Sequence, residues 1–173
     1  MRAIVSLGSN LGDREGYIRK ALAALSRMPS TSLVAESSII ETDGVDVPPE
    51  YAELKFLNAV AIFETSLDPF EFSRLMHGIE EKLGRKRTVK NGPRTIDIDL
   101  VDFGGLEIAT PELVLPHPRA AEREFVTKPL AELGVSPAWM RQPRTRRPVV
   151  HSPNVLRPVS AKPSSRYADS TSS

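Results

Sequence analysis

The stretch GPRTIDIDL, residues 92–100, alternates Thr95, Asp97 and Asp99 with Ile96, Ile98 and Leu100. Period-two alternation predicts a strand with one apolar face and one polar face, closed by the turn residues Gly104 and Gly105. Its place as the last strand of the core decides the topology. Upstream, Asp68, Pro69 and Glu71 open a helix as N-cap, first-turn proline and capping carboxylate. Phe72, Leu75, Met76, Ile79 and Leu83 form its apolar stripe, and Gly84 supplies a left-handed cap.

FLNAVAIFET (56–65) and residues 31–40 read as two further strands, separated by a polar loop over 41–55. A loop that long inside a compact domain tends to be functional. AIVSLG (3–8) reads as a buried strand. A helix follows, capped by Asp13, striped by Ile18, Ala21, Leu22, Leu25 and Met28, and stopped by Pro29. The order βαββαβ predicts an α+β fold of ferredoxin-like type, an antiparallel sheet with both helices on one face. Residues 106–140 are expected to add short strands and helical turns covering the other face, giving three layers (αβα).

The 173 residues suffice for one sizeable core, and 40% apolar and 26% charged residues are ordinary for a globular chain. No apolar run approaches the roughly 18 residues of a membrane span, MRAIVSLGSN lacks the features of a signal peptide, and cysteine is absent. The expectation is a cytoplasmic monomer with small-molecule partners and no membrane or nucleic-acid partner. Residues 141–173 carry seven Lys/Arg against Asp169 alone, with prolines at even spacing. They read as a flexible tail beyond a domain spanning 1–140.

Asp97 and Asp99 on one strand face lie about 7 Å apart from the doubled rise per residue. Two carboxylates so placed repel unless a cation sits between them. Mg²⁺, which takes one or two carboxylates and fills its octahedron with water and phosphate oxygens, suits the pair. An arbitrary Asp-x-Asp is more often a solvated strand face. This one is bracketed by Arg85, Lys86, Arg87, Lys90 and Arg94 before it and Arg119 and Arg123 after it. Phosphoryl transfer requires such a mixture of metal-binding carboxylates and guanidinium groups. The basic loop then reads as a mobile phosphate clamp.

Neither a Walker A sequence nor G-x-G-x-x-G occurs, and no histidine cluster offers zinc a ligand set. His77 has a structural role as its default. His117, between Pro116 and Pro118, is either a donor to a phosphate or an exposed loop histidine. Phe56 and Asn58 share a strand face, and with Phe125 as an opposite wall they would suit a heteroaromatic ring; core packing is the ordinary role of each phenylalanine alone.

SLGSNLGDR (6–14), FLNAVAIFET (56–65), GPRTIDIDLV (92–101) and PHPRAAEREFV (116–126), in this order and spacing, resemble the 6-hydroxymethyl-7,8-dihydropterin pyrophosphokinase family over residues 3 to 134. The resemblance implies transfer of pyrophosphate from ATP, the co-substrate, to a pterin alcohol in folate biosynthesis, giving AMP. It implies that Asp97 and Asp99 bind two Mg²⁺ ions, with Asp97 the nearest candidate to assist deprotonation of the alcohol. It further implies that Arg85, Arg94 and Arg123 contact phosphates, that Glu80 and His117 lie at the nucleotide, and that Thr42, Val45, Phe56, Asn58 and Phe125 form the pterin pocket. The chain departs from the family pattern at Asp43-Gly44-Val45-Asp46, at Asn91 and at Pro118. Two other readings share the fold. A palm-like nucleotidyltransferase would release pyrophosphate instead of AMP, and an RNA-binding module would need aromatic residues where Asp97 and Asp99 stand.

Overall fold

The computed structural model describes residues 1–85 and 92–141. Most of the basic loop and the tail therefore lie outside the described residues, together with Asn91 and the expectations of a mobile clamp and a flexible tail. Within residues 1–141 the elements run β1 (Arg2–Ser9), α1 (Arg14–Ser26), β2 (Thr31–Glu36), β3 (Ile40–Thr42), β4 (Phe56–Thr65), α2 (Pro69–Lys82), β5 (Asp97–Phe103), β6 (Ile108–Ala109), β7 (Val114–Leu115) and α3 (Glu124–Glu132). The main sheet has the order β2-β4-β1-β5 with every pairing antiparallel, and β3 extends the β2 edge along β4. This is the ferredoxin-like order expected of βαββαβ. β6 and β7 form a separate two-stranded ribbon.

β1 is central and buried on both faces after its first residue. Ala3, Val5 and Leu7 join Ala59, Ala61 and Phe63 of β4 and Ile98, Leu100 and Phe103 of β5 against α1 and α2. Phe72 packs edge-on to Phe103, with ring centroids 5.8 Å apart. Ile4, Val60, Ile62 and Val101 form the other face, covered by Ala120, Val126 and Leu130. Opposite Ile4 and Val5 the register with β5 shifts, from Asp102 to Leu100. Val101 is the extra residue of this bulge, which changes the phase of alternation and lets Phe103 face α2 although Val101 faces α3.

The helix signals are read correctly at both caps. Asp13 accepts from Gly16 N, Asp68 accepts from Phe70 N and Glu71 N, and Gly84 has φ 83°. α1 ends at Ser26, short of the Pro29 limit.

Two strands differ from expectation. Residues 31–40 do not form one strand: β2 ends at Glu36 because Ser37 replaces the ladder with its own side chain, Val60 N donating to Ser37 Oγ at 2.9 Å while Ser37 N donates to Val60 O at 2.8 Å. β3 then resumes pairing with Phe56–Asn58, which shortens the polar loop by its first two residues. The last core strand begins at Asp97 rather than at Gly92. Asn10 clamps the backbone of the preceding segment, Arg94 N donating to its Oδ1 at 2.7 Å and Asn10 N donating to Arg94 O at 3.2 Å.

Candidate active site

The second sheet face is apolar only where α3 covers it. Beyond that patch the cross-strand rows become polar: Asn58, Gly8 and Asp97 stand side by side on β4, β1 and β5, and Val60, Ser6 and Asp99 make the next row. These rows floor a cleft lined also by Thr42, Val45, Phe56, Arg94, Arg119, Arg123 and Phe125. Gly8 keeps the floor open, since a Cβ there would stand 3.0 Å from Asn58 Oδ1 and 3.8 Å from Phe56 Cδ1.

Asp97 and Asp99 share this face, as the alternation predicts, while Ile96, Ile98 and Leu100 are buried. Each aspartate has its own arginine. Arg94 Nη1 donates to Asp97 Oδ2 at 2.9 Å, and Arg123 Nη1 lies 3.5 Å from Asp99 Oδ2. The same guanidinium groups sit over the aromatic walls, Arg94 5.7 Å from the Phe56 ring centre and Arg123 5.4 Å from that of Phe125. Arg85 Nη1 is 3.0 Å from Asp97 Oδ1, so guanidinium groups engage both Asp97 oxygens. Asp99 is less well compensated. Burial and the neighbouring Asp97 push its pKa up to about 7, with Arg123 pulling the other way.

Behind Asp97, Glu80 is 2% exposed in the last turn of α2. Its Oε1 accepts from Ile98 N at 2.6 Å and from Arg85 Nη1 at 2.7 Å, and its Oε2 is 3.1 Å from His77 Nδ1. Burial alone would raise its pKa, but the hydrogen bonds from His77 and Ile98 and the charge of Arg85 hold it below the ordinary carboxylate value. Burial likewise works against the charge on Arg85, and Asp97 and Glu80 outweigh it. Glu80 is thus brought to the site as the group that orients Arg85 and the amide between the two aspartates. A second depression, lined by Phe70, Arg74, His77 and Leu113 among others, runs along α2, and His77 joins it to the cleft through Glu80 and Arg85.

His117 N donates to Val101 O at 2.8 Å, which fixes this loop to β5. Burial and the nearby charge of Arg123 lower the His117 pKa to about 4, so the ring is neutral at neutral pH. Arg119 N donates to His117 Nδ1 at 3.2 Å, which leaves the ring proton on Nε2. His117 is therefore built as a hydrogen-bond donor through Nε2.

On the opposite side of the cleft, Asn58 Nδ2 donates to Thr42 Oγ1 at 2.6 Å and is almost wholly buried. Phe56 and Phe125 are partly exposed in the cleft walls, outside the main core cluster. Val45 is 53% exposed at the tip of the 43–55 loop. Among the described residues, those assigned to the site from sequence stand in the cleft or in its immediate support, whereas Lys86, Arg87 and Lys90 lie outside the described residues. Gly8 and Ser6 were not foreseen. The signal was available, because SLGS places small residues inside an otherwise large-residue strand.

The family described as 7,8-dihydro-6-hydroxymethylpterin-pyrophosphokinase (HPPK) matches residues 4–135. The chain is 46% identical over 131 residues to 2-amino-4-hydroxy-6-hydroxymethyldihydropteridine pyrophosphokinase of Bacillus subtilis, covering 76% of this chain and 77% of that protein. It is 39% identical over 135 residues to the Pseudomonas aeruginosa protein of the same name, covering 76% and 80% respectively. Some relatives are fusions: the mitochondrial folate synthesis bifunctional protein of Arabidopsis thaliana is 35% identical over 130 residues, 75% of this chain and 23% of that protein. A crystal structure of HPPK-DHPS in complex with substrates shares the fold, with a TM-score of 0.53 at 13% identity over 76% of this chain and 40% of that one. Motifs, sheet order and similarity agree, and the chain belongs to the 7,8-dihydro-6-hydroxymethylpterin-pyrophosphokinase family.

Proposed function

We propose that this cleft carries out the family's reaction through the residues that line it. The chain is an ATP-dependent pyrophosphokinase of folate synthesis, moving the terminal diphosphoryl group of ATP to the hydroxymethyl oxygen of 6-hydroxymethyl-7,8-dihydropterin and releasing AMP. This reading is favoured over nucleotidyl transfer and over RNA binding. The observation that carries the assignment of roles is the paired arrangement of Arg94 with Asp97 and Phe56, and of Arg123 with Asp99 and Phe125. A phosphate-and-cation site and an aromatic slot share their walls.

Asp97 and Asp99 would hold two Mg²⁺ ions. The fit lies in the donor set: two carboxylates, both acceptor-only, share one face, and Asp99 is short of positive charge. Among the described residues no group of three or more His, Cys, Asp or Glu side chains could hold a metal, so water and phosphate oxygens would have to complete each coordination shell. Bound Mg²⁺ would supply charge neutralisation across the phosphate oxygens. Both oxygens of Asp97 already lie beside guanidinium groups, which suits it to holding charge better than to acting as a base.

Arg85, held by Glu80, and Arg94 and Arg123 face the charge that spreads over the transferred group, and His117 donates from Nε2. Phe56 and Phe125 sandwich the pterin, whose hydrogen-bonding edge meets Asn58 and Thr42. The nucleoside lies along α2 in the depression that His77 links to the cleft. The protein acts as a cytoplasmic monomer on small molecules. With ATP, Mg²⁺ and the pterin alcohol, the chain should release AMP and form the pterin diphosphate. Release of pyrophosphate in place of AMP would refute the assignment.

A further inference from the structure

We infer that Asp46 is a positioning residue for the pterin pocket, acting through Arg119 to tie the 43–55 loop across the mouth of the cleft to the loop that carries His117. The inference rests on the pterin reading above and deepens it. Asp46 Oδ2 lies 3.0 Å from Arg119 Nη2, a contact between residues 73 apart in sequence. It joins the two sides of the cleft, because Asp43, Val45 and Val47 line it from one loop and Arg119 lines it from the other.

Val45 is 53% exposed, and the only helical turn in the loop, Pro49–Tyr51, buries no residue. The tip is folded tightly on itself, since a Cβ on Gly44 would stand 2.6 Å from Val47 Cγ1 and 3.4 Å from Phe56 Cε2. Asp46 adopts φ 53°, a left-handed conformation that aspartate tolerates better than most side chains. The reversal at Asp46 and the ion pair therefore set together where Val45 stands relative to Phe56.

Arg119 has a second attachment that makes the tie consequential. Its backbone N–H donates to His117 Nδ1 at 3.2 Å. One residue thus fixes the proton of His117 through its main chain and holds the pterin-side loop through its side chain. The pair is a surface pair, with side-chain exposures of 47% and 65%. Such pairs are modest and are screened by salt, so the expected effect is roughly two- to five-fold in pterin affinity at low ionic strength.

The test is a fluorescence titration of 6-hydroxymethylpterin into the full chain saturated with Mg²⁺ and a non-hydrolysable ATP analogue. It is run at low salt and at about 1 M NaCl, where the screening length falls to about 3 Å. Asp46→Asn should bind roughly two- to five-fold more weakly at low salt. Asp46→Glu should recover most of the affinity, and wild type and Asp46→Asn should coincide at high salt. In an Arg119→Gln background Asp46→Asn should cost clearly less than it does in the wild type, while turnover of Asp46→Asn at saturating substrates stays within about two-fold of wild type. Equal affinities at low salt, a loss that survives high salt, or an undiminished loss in the Arg119→Gln background would overturn the inference while leaving the pterin reading in place. A wild-type chain that fails to bind pterin would overturn both.

Discussion

The backbone N–H of Ile98, the residue between the two aspartates, donates to the buried carboxylate of Glu80 at 2.6 Å. This bond joins the end of α2 to the strand that presents Asp97 and Asp99, and the second contact of the same oxygen holds Arg85 at 2.7 Å. Removing the carboxylate strands the amide and takes from a mostly buried guanidinium one of its two anionic partners. Glu80→Ala should cost about 2–4 kcal/mol of unfolding free energy by denaturant titration and lower kcat at least tenfold. Glu80→Gln, which keeps an acceptor for Ile98 N, should restore most of the stability and much less of the rate. Equal recovery of both would mean that Arg85 does not depend on Glu80.

The two aspartates should answer differently to removal. Asp97 pairs with Arg85 and Arg94, so Asp97→Asn takes an anionic partner from two guanidinium groups and should destabilise the chain without metal. Asp99 sits beside Asp97 with a single arginine at 3.5 Å, and Asp99→Asn should stabilise it, by about 1 kcal/mol at pH 8 given that its side chain is 32% exposed. Both variants should lose turnover. A common loss of stability on calorimetry would refute the asymmetry.

The stability gain from Asp99→Asn should also depend on pH. The folded-state pKa is raised to about 7 from an ordinary 3.8, so the native state binds this proton more tightly than the unfolded chain does. Its contribution is fully present below about pH 4 and is lost as pH rises through 7. Thermal melts should therefore show the variant's advantage at pH 8 and none at pH 4. For the same reason protons compete with Mg²⁺ at this carboxylate, and Mg²⁺ affinity measured by calorimetry should rise between pH 6 and 8.

His117 behaves in the opposite sense. Its pKa is lowered to about 4 by burial and Arg123, so the native state resists a proton that the unfolded chain accepts near 6.5. The stability this represents is present above pH 6.5 and is lost as pH falls towards 4. His117→Gln should lessen that acid sensitivity. In the wild type, the His117 ring should show no titration between pH 6 and 8 by NMR, with the proton resident on Nε2.

The sheet order was legible because each of its determinants is local: caps at Asp13 and Asp68, the Gly84 reversal, the apolar run 56–65 and the alternation in residues 95–100. The break at Ser37 was not, because a β-branched, apolar run looks continuous until a side chain competes for Val60 N across the sheet. The late start of β5 had the same origin, a clamp from Asn10 some 84 residues away. Site residues carried by charge and alternation, such as Asp97 and Asp99, could be picked out from spacing. The floor was missed although SLGS carries its signal, since Gly8 and Ser6 matter only for what their size leaves open beside Asn58 and Asp97. The stacking of Arg94 on Phe56 joins parts of the chain 38 positions apart and is equally invisible in one dimension.

That stacking leads to a last expectation. Phe56 and Phe125 each carry a guanidinium group over the ring, and in the proposed complex each would also meet the pterin. Replacing a ring by leucine keeps much of the apolar surface but removes the flat π face. Stacking of a nitrogenous base on an aromatic side chain is worth about 1–3 kcal/mol, so Phe125→Leu should weaken pterin binding by roughly ten- to a hundred-fold. If the ring also holds Arg123 in place, Asp99 loses part of its compensating charge, and the Asp99 pKa should climb from about 7. A ¹³C-detected carboxylate titration of Asp99 in the variant would register that climb. A weaker pterin complex with an unmoved Asp99 would show that Arg123 is held by the carboxylate alone.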